Sequence, residues 1–136
     1  MIVPDTGILS LLFRRKRRDL NSEESRLLFA LEDLVKAGEI VIVGPIRQEI
    51  LSGIVSPEQF QALKSRLATI DDLPMDSDTF VLAAEFFNRC RGVGVAPGHI
   101  DMMICAAAYV HSCEIFTADP DFPRYAHILP IHLYRG

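Results

Sequence analysis

The chain has 136 residues, of which 49% are hydrophobic, enough for one folded domain with a sizeable core and too many for a disordered polymer. Its formal net charge of −4 excludes a general polycation, so any nucleic-acid contact must come from a local patch. Three cysteines without zinc spacing argue against a disulfide scaffold and fit a reducing cytoplasm, and no run nears the roughly 20 apolar residues of a membrane span.

Met1 to Val3 reads as a short buried strand that Pro4 ends. Asp5 interrupts the apolar run and the basic residues follow it rather than precede it, so no signal peptide is expected. The sequence predicts a short apolar helix over Thr6–Phe13, then a mobile turn built on five consecutive cations, Arg14, Arg15, Lys16, Arg17 and Arg18. A helix over Ser22–Ala37 follows, with Asn21 and Glu24 spaced as a capping box, an apolar stripe of Leu27, Leu28, Leu31, Leu34 and Val35, and Gly38 as its stop. Glu39–Val43 reads as a strand, and Gly44-Pro45 stops it and opens a helix. Ser56-Pro57 begins another helix, and Leu67–Ile70 is expected to be a short strand. Asp76 or Ser77 caps a helix to about Cys90, and a further helix spans about His99 to His111. Then come a strand at Cys113–Thr117, a turn-rich loop at Ala118–Tyr125, and an edge strand at Ile128–Leu133 that Pro130 weakens.

Short apolar strands alternating with helices predict one α/β domain over residues 1–136, with a mainly parallel central sheet flanked by helices. Ligands of such sheets bind beyond the carboxyl ends of the strands. Asp5 follows the first strand, Glu49 lies one helical turn beyond the Val41-Ile42-Val43 strand, and Asp119 and Asp121 follow Ile115-Phe116-Thr117. Asp101 opens the nearly all-apolar run Met102–Val110. Each acid also has a structural reading. Asp5 can cap the next helix, Asp101 can sit on a helix dipole, Glu49 can be solvated, and Asp119 and Asp121 suit a turn.

Buried carboxylates are costly unless paired or bound to a metal, and an all-oxygen set selects hard cations such as Mg²⁺ or Mn²⁺. Such ions suit phosphoryl transfer, for which the Arg14–Arg18 run is a natural phosphate-binding complement. Thr6 and Thr117 stand beside Asp5 and Asp119 and are expected to hold carboxylates in orientation. His99, two residues before Asp101, is a weaker candidate for the edge of the site.

Four motifs in this order, "VPDTGIL", "RQEIL", "HIDMMICAAAYV" and "IFTADPDF", resemble the PIN-domain family and, within it, the VapC-type toxins of toxin–antitoxin pairs. The resemblance spans essentially the whole chain. It implies a Rossmann-like fold and a Mg²⁺- or Mn²⁺-dependent endoribonuclease, cytoplasmic, with RNA as substrate, a cognate antitoxin as partner and a homodimeric state. By motif position Asp5 and Asp101 would be central metal ligands and Glu49 the third acid. Asp119 would be the fourth, with Asp121 its competitor for that place. Two features depart from the family pattern: His99-Ile100 ahead of Asp101, and the density of the basic run.

Two other functions fit less of the sequence. A non-catalytic PIN-like module would bind RNA or protein without metal-dependent cleavage. A phospho-acceptor receiver domain needs an acidic pair after the first strand and a late lysine, but Asp5 stands between Pro4 and Thr6 and no lysine follows Lys64.

Overall fold

A computed structural model describes all residues from Met1 to Gly136. Strand β1 (Ile2–Pro4) lies parallel to β2 (Glu114–Phe116), with Ile2 opposite Glu114, Val3 opposite Ile115 and Pro4 opposite Phe116. Parallel single-residue bridges extend this pair on both sides: Ile2 to Ile40, Ile42 to Asp72, and Ile115 to Leu133. Five chain segments therefore run side by side in the order 72, 40–42, 2–4, 114–116, 133, with the N-terminal strand at the centre. Helices α1 (Thr6–Phe13), α2 (Ser22–Lys36), α3 (Gly44–Leu51), α4 (Pro57–Leu67), α5 (Ser77–Gly92), α6 (His99–Val110) and α7 (Asp121–Ala126) surround it.

The helix signals act locally. Asn21 accepts from the Glu24 amide while the Glu24 side chain accepts from the Asn21 amide, closing the capping box of α2. Gly38 follows at φ +69°, a left-handed conformation that only glycine adopts without strain. Leu28, Leu31 and Leu34 turn the α2 stripe into the core, and full burial of a leucine such as Leu31 stabilises the fold by roughly 1.5–3 kcal/mol. Ser56 and Asp76 cap α4 and α5 through the amides of Gln59 and Thr79. Along α6, Met102 and the run Ile104–Ala108 are buried, which fixes this helix, and Asp101 at its start, against α5 and β2.

Several segments differ from the expectation. Leu67–Ile70 is not a strand: Leu67 ends α4, and the sheet contact passes to Asp72, where the Ile42 amide reaches the Asp71 carbonyl at 3.0 Å. Glu39–Val43 and the C-terminal segment join the sheet only through isolated bridges, because each meets a neighbour over too few residues to build a ladder. Pro4 is the last residue of β1 rather than its terminator: it stands opposite Phe116, and the hydrogen bond to the Phe116 carbonyl comes from the next amide, Asp5, so the donor that proline lacks is not needed there. Ala118–Tyr125 is not all loop, because α7 begins at Asp121; Pro123 is tolerated there because first-turn amides lack helical partners anyway. The basic run forms a 3-10 turn at Arg17–Asp19, anchored by ion pairs from Arg15 to Glu24 at 3.1 Å and from Arg17 to Glu32.

Candidate metal centre

Parallel strands end together, and here the end of β1 meets the end of β2. The Asp5 amide continues the ladder by donating to the Phe116 carbonyl at 2.9 Å, which drives the Asp5 side chain beneath the start of α1. There Oδ1 accepts the Ile8 amide at 2.9 Å as a helix cap, and Oδ2 accepts the Thr117 hydroxyl. Asp5 is only 7% exposed, so nearly all of its hydration has been exchanged for these two donors.

The loop after β2 orders itself around Thr117. Its Oγ1 accepts the Asp119 amide at 3.0 Å, and Asp119 Oδ1 in turn accepts the Asp121 amide at 2.9 Å. Asp101, half-buried in the first turn of α6, faces this loop and accepts the Tyr125 hydroxyl on Oδ2 at 2.9 Å. Carboxylate oxygens of Asp101, Asp119 and Asp121 all lie within 4.8 Å of one another. Three oxygens on one Mg²⁺ at about 2.1 Å lie about 3 Å apart when cis and about 4.2 Å when trans, so the trio would have to draw together to hold a small oxygen-loving cation.

Asp5 and Glu49 lie outside this tightest group. Asp5 adjoins it through Thr117, which touches both Asp5 and the Asp119 backbone. Glu49, half-buried on α3, accepts the Thr6 hydroxyl at 2.8 Å. Thr6 therefore holds Glu49 rather than its neighbour Asp5, while Thr117 holds Asp5. Both loop aspartates bring a carboxylate oxygen within 4.8 Å of one from Asp101.

The electrostatics are those of crowded anions. Burial pushes the Asp5 carboxyl above its ordinary range, against the lowering effect of the Thr117 and Ile8 hydrogen bonds, and Asp119 and Glu49 push it further. Asp101 is raised in the same way: burial first, the Tyr125 bond opposing, then repulsion from Asp119, Asp5 and Asp121. No lysine or arginine is ion-paired with Asp5, Glu49, Asp101 or Asp119; of the five acids only Asp121 has an ion-pair partner, Arg124 at 3.7 Å on the surface.

Arg15 lines the same cleft of about 360 Å³ as Asp5 and Asp119, which brings one end of the basic run to the acids. Arg14, Lys16 and Arg18 form no ion pair and stand exposed beside it. His99 goes elsewhere: its ring stacks on Phe87 at 4.6 Å, in an apolar groove between α5 and α6. The sequence reading missed Tyr125, whose helical spacing from Asp121 carries meaning only once α7 is known to be a helix.

The PIN-domain family model matches residues 2–128, and the chain belongs to that family. Three solved structures share the fold. VapBC2 from Rickettsia felis, bound to a DNA fragment from its promoter, gives a TM-score of 0.74 at 20% identity, covering 98% of this chain and 98% of that one. FitAcB from Neisseria gonorrhoeae gives 0.72 at 18% identity, covering 99% and 97%. A toxin–antitoxin complex from Klebsiella pneumoniae gives 0.70 at 22% identity, covering 90% of each. No curated protein sequence matches the chain.

Proposed function

We propose that this protein is a Mg²⁺- or Mn²⁺-dependent endoribonuclease, the toxin of a toxin–antitoxin pair. The observation that carries the reading is the convergence of carboxylates from β1, α6 and the β2–α7 region without a basic partner for Asp5 or Asp101. A protein gains nothing in stability from such repulsion, and a bound divalent cation removes it.

Asp101, Asp119 and Asp121 would hold the ion, with Asp5 and Glu49 completing the acidic rim. Bound there, a divalent cation supplies charge neutralisation at a phosphate and lowers the pKa of a water nucleophile. The chain's own residues do the rest. Thr117 and Thr6 fix the carboxylates of Asp5 and Glu49, and burial of Asp5 keeps bulk water from loosening that geometry. Arg15 stands at the cleft, and Arg14, Lys16, Arg17 and Arg18 extend a cationic surface suited to an RNA backbone.

The structural neighbour from Klebsiella pneumoniae is a toxin–antitoxin complex, which supports a cognate antitoxin as the natural inhibitor. Basic side chains of that partner would serve as counter-charges to the acids. The exposed apolar residues Phe80 and Val81 on α5 and Tyr109 and Val110 on α6 suit burial against a second copy, in keeping with a homodimer. Three free, buried cysteines fit a cytoplasmic setting, and no helix is long and apolar enough to cross a membrane.

The test is cleavage of RNA by the purified protein with and without EDTA, beside Asp5→Asn and Asp101→Asn. Cleavage that EDTA and both substitutions abolish is the expected result. Equal cleavage by the variants would sink the assignment, and tight RNA binding with no cleavage would point to a non-catalytic module.

A further inference from the structure

We propose that Tyr125 is a positioning residue for the metal centre: its buried hydroxyl holds Asp101 Oδ2 and so presents that carboxylate to Asp119 and Asp121 in one orientation. The inference rests on reading those acids as metal ligands.

Tyr125 is 1% exposed, and a phenylalanine would fill its place in the core equally well. What tyrosine adds is one hydroxyl, and that hydroxyl donates to Asp101 at 2.9 Å. The bond joins α6 to α7 between residues 24 positions apart in sequence. Helix α7 carries Asp121 at its first position and Tyr125 four residues later, the spacing that puts two side chains on one helical face. The same short helix thus brings a candidate ligand and the residue that orients its neighbour to one place.

The ring itself is fixed. Phe122 meets it edge-on at 5.3 Å with planes 74° apart, and the Tyr125 carbonyl accepts the amides of Ile128 at 2.9 Å and Leu129 at 2.7 Å. A carboxylate in a crowded anionic site would otherwise rotate away from Asp119 and Asp121. Groups that orient metal ligands in this manner are typically worth about ten- to a hundredfold in metal affinity.

The experiment is Mn²⁺ binding by titration calorimetry to the wild-type protein, Tyr125→Phe and Asp101→Asn, with melting of each measured in EDTA. Tyr125→Phe is expected to melt close to wild type without metal, yet to bind Mn²⁺ about ten- to a hundredfold more weakly. Its RNA cleavage should recover as Mn²⁺ is raised, which a loss of packing would not produce. If Asp101→Asn loses Mn²⁺ while Tyr125→Phe binds as tightly as wild type, the positioning role falls and the metal-centre reading stands. If the wild-type protein binds no Mn²⁺, both fall. Should Tyr125→Phe not fold, a protein carrying Tyr109→Phe and Tyr134→Phe leaves Tyr125 as the sole tyrosine. A Mg²⁺-dependent shift of its near-ultraviolet band then supports the role, and an unchanged band overturns it.

Discussion

Thr117 and Asp5 stand 112 residues apart in sequence and share a hydrogen bond, with the threonine hydroxyl donating to Asp5 Oδ2. The same oxygen atom of Thr117 accepts the Asp119 amide, so a single hydroxyl ties the end of β1 to the acidic loop after β2. Replacing it with the isosteric valine removes both bonds and leaves the shape. Thr117→Val is expected to weaken Mn²⁺ binding and RNA cleavage by about ten- to a hundredfold, whereas Thr117→Ser retains most of both. Parallel Mn²⁺ titrations and cleavage assays check this.

The crowded carboxylates make metal-free stability depend on pH. Asp5 and Asp101 have folded values above the ordinary 3.8, so between 3.8 and the raised values the folded state binds more protons than the unfolded one. Stability of the metal-free protein is therefore expected to fall as pH rises through that window and to remain lower at neutral pH. Thermal melting in EDTA across pH 4 to 8 reads this, as an order-of-magnitude range around the carboxyl values; a melting temperature that climbs through the window would contradict it.

Neutralising one acid should relieve the same repulsion. Asp101→Asn keeps an oxygen for the Tyr125 hydroxyl, and in EDTA at neutral pH it is expected to be more stable than wild type by on the order of 1 kcal/mol, or about 4 °C. With metal the order reverses. Wild type gains about 2.7 kcal/mol at a hundredfold excess of ion over Kd, and the variant gains little. Differential scanning calorimetry with and without Mn²⁺ decides between these outcomes.

Within the basic run, Arg15 and Arg17 are tied to Glu24 and Glu32, while Arg14, Lys16 and Arg18 are free. Replacing the three free cations with alanine is expected to flatten the salt dependence of RNA binding by about two in log–log slope, at about 0.7 for each phosphate no longer neutralised. The melting temperature should stay near that of wild type because these side chains are exposed. Binding isotherms at several salt concentrations give the slope; an unchanged slope would remove the run from the RNA surface.

The turn after α2 offers a check on the fold alone. Gly38 adopts φ +69° in open space, so Gly38→Ala meets no clash but must hold a left-handed backbone, at a cost of roughly 1–2 kcal/mol. Urea denaturation should show this loss with metal affinity unchanged.

Much of this architecture was legible in the sequence because its causes are local. The Asn21–Glu24 capping box, the leucine stripe of α2 and the Asp76 cap need only neighbours three or four residues away. The order of the acids along an alternating α/β pattern was equally plain, since each follows a strand or opens a helix. The sequence was misleading where a segment's state depends on distant partners. Leu67–Ile70 has the composition of a strand, yet the carbonyls of Leu67 and Ile70 accept hydrogen bonds from Arg47, and the sheet contact lies at Asp72. Asp121–Ala126 looks like a turn because Pro120 precedes it and Pro123 lies within it, yet burial of Phe122 and Tyr125 holds it as a helix.

The sequence by itself determined the supply of carboxylates, their order and the capped helices that carry them, because propensity, capping and hydrophobic period act over a few residues. Only the tertiary structure decided which side chains meet: Thr6 with Glu49, Thr117 with Asp5, Tyr125 with Asp101, and both loop aspartates with Asp101. The reason is that a hydroxyl's partner is set by the direction its backbone gives it. That direction depends on how the ends of β1 and β2 and the starts of α1, α6 and α7 are packed together around one buried core.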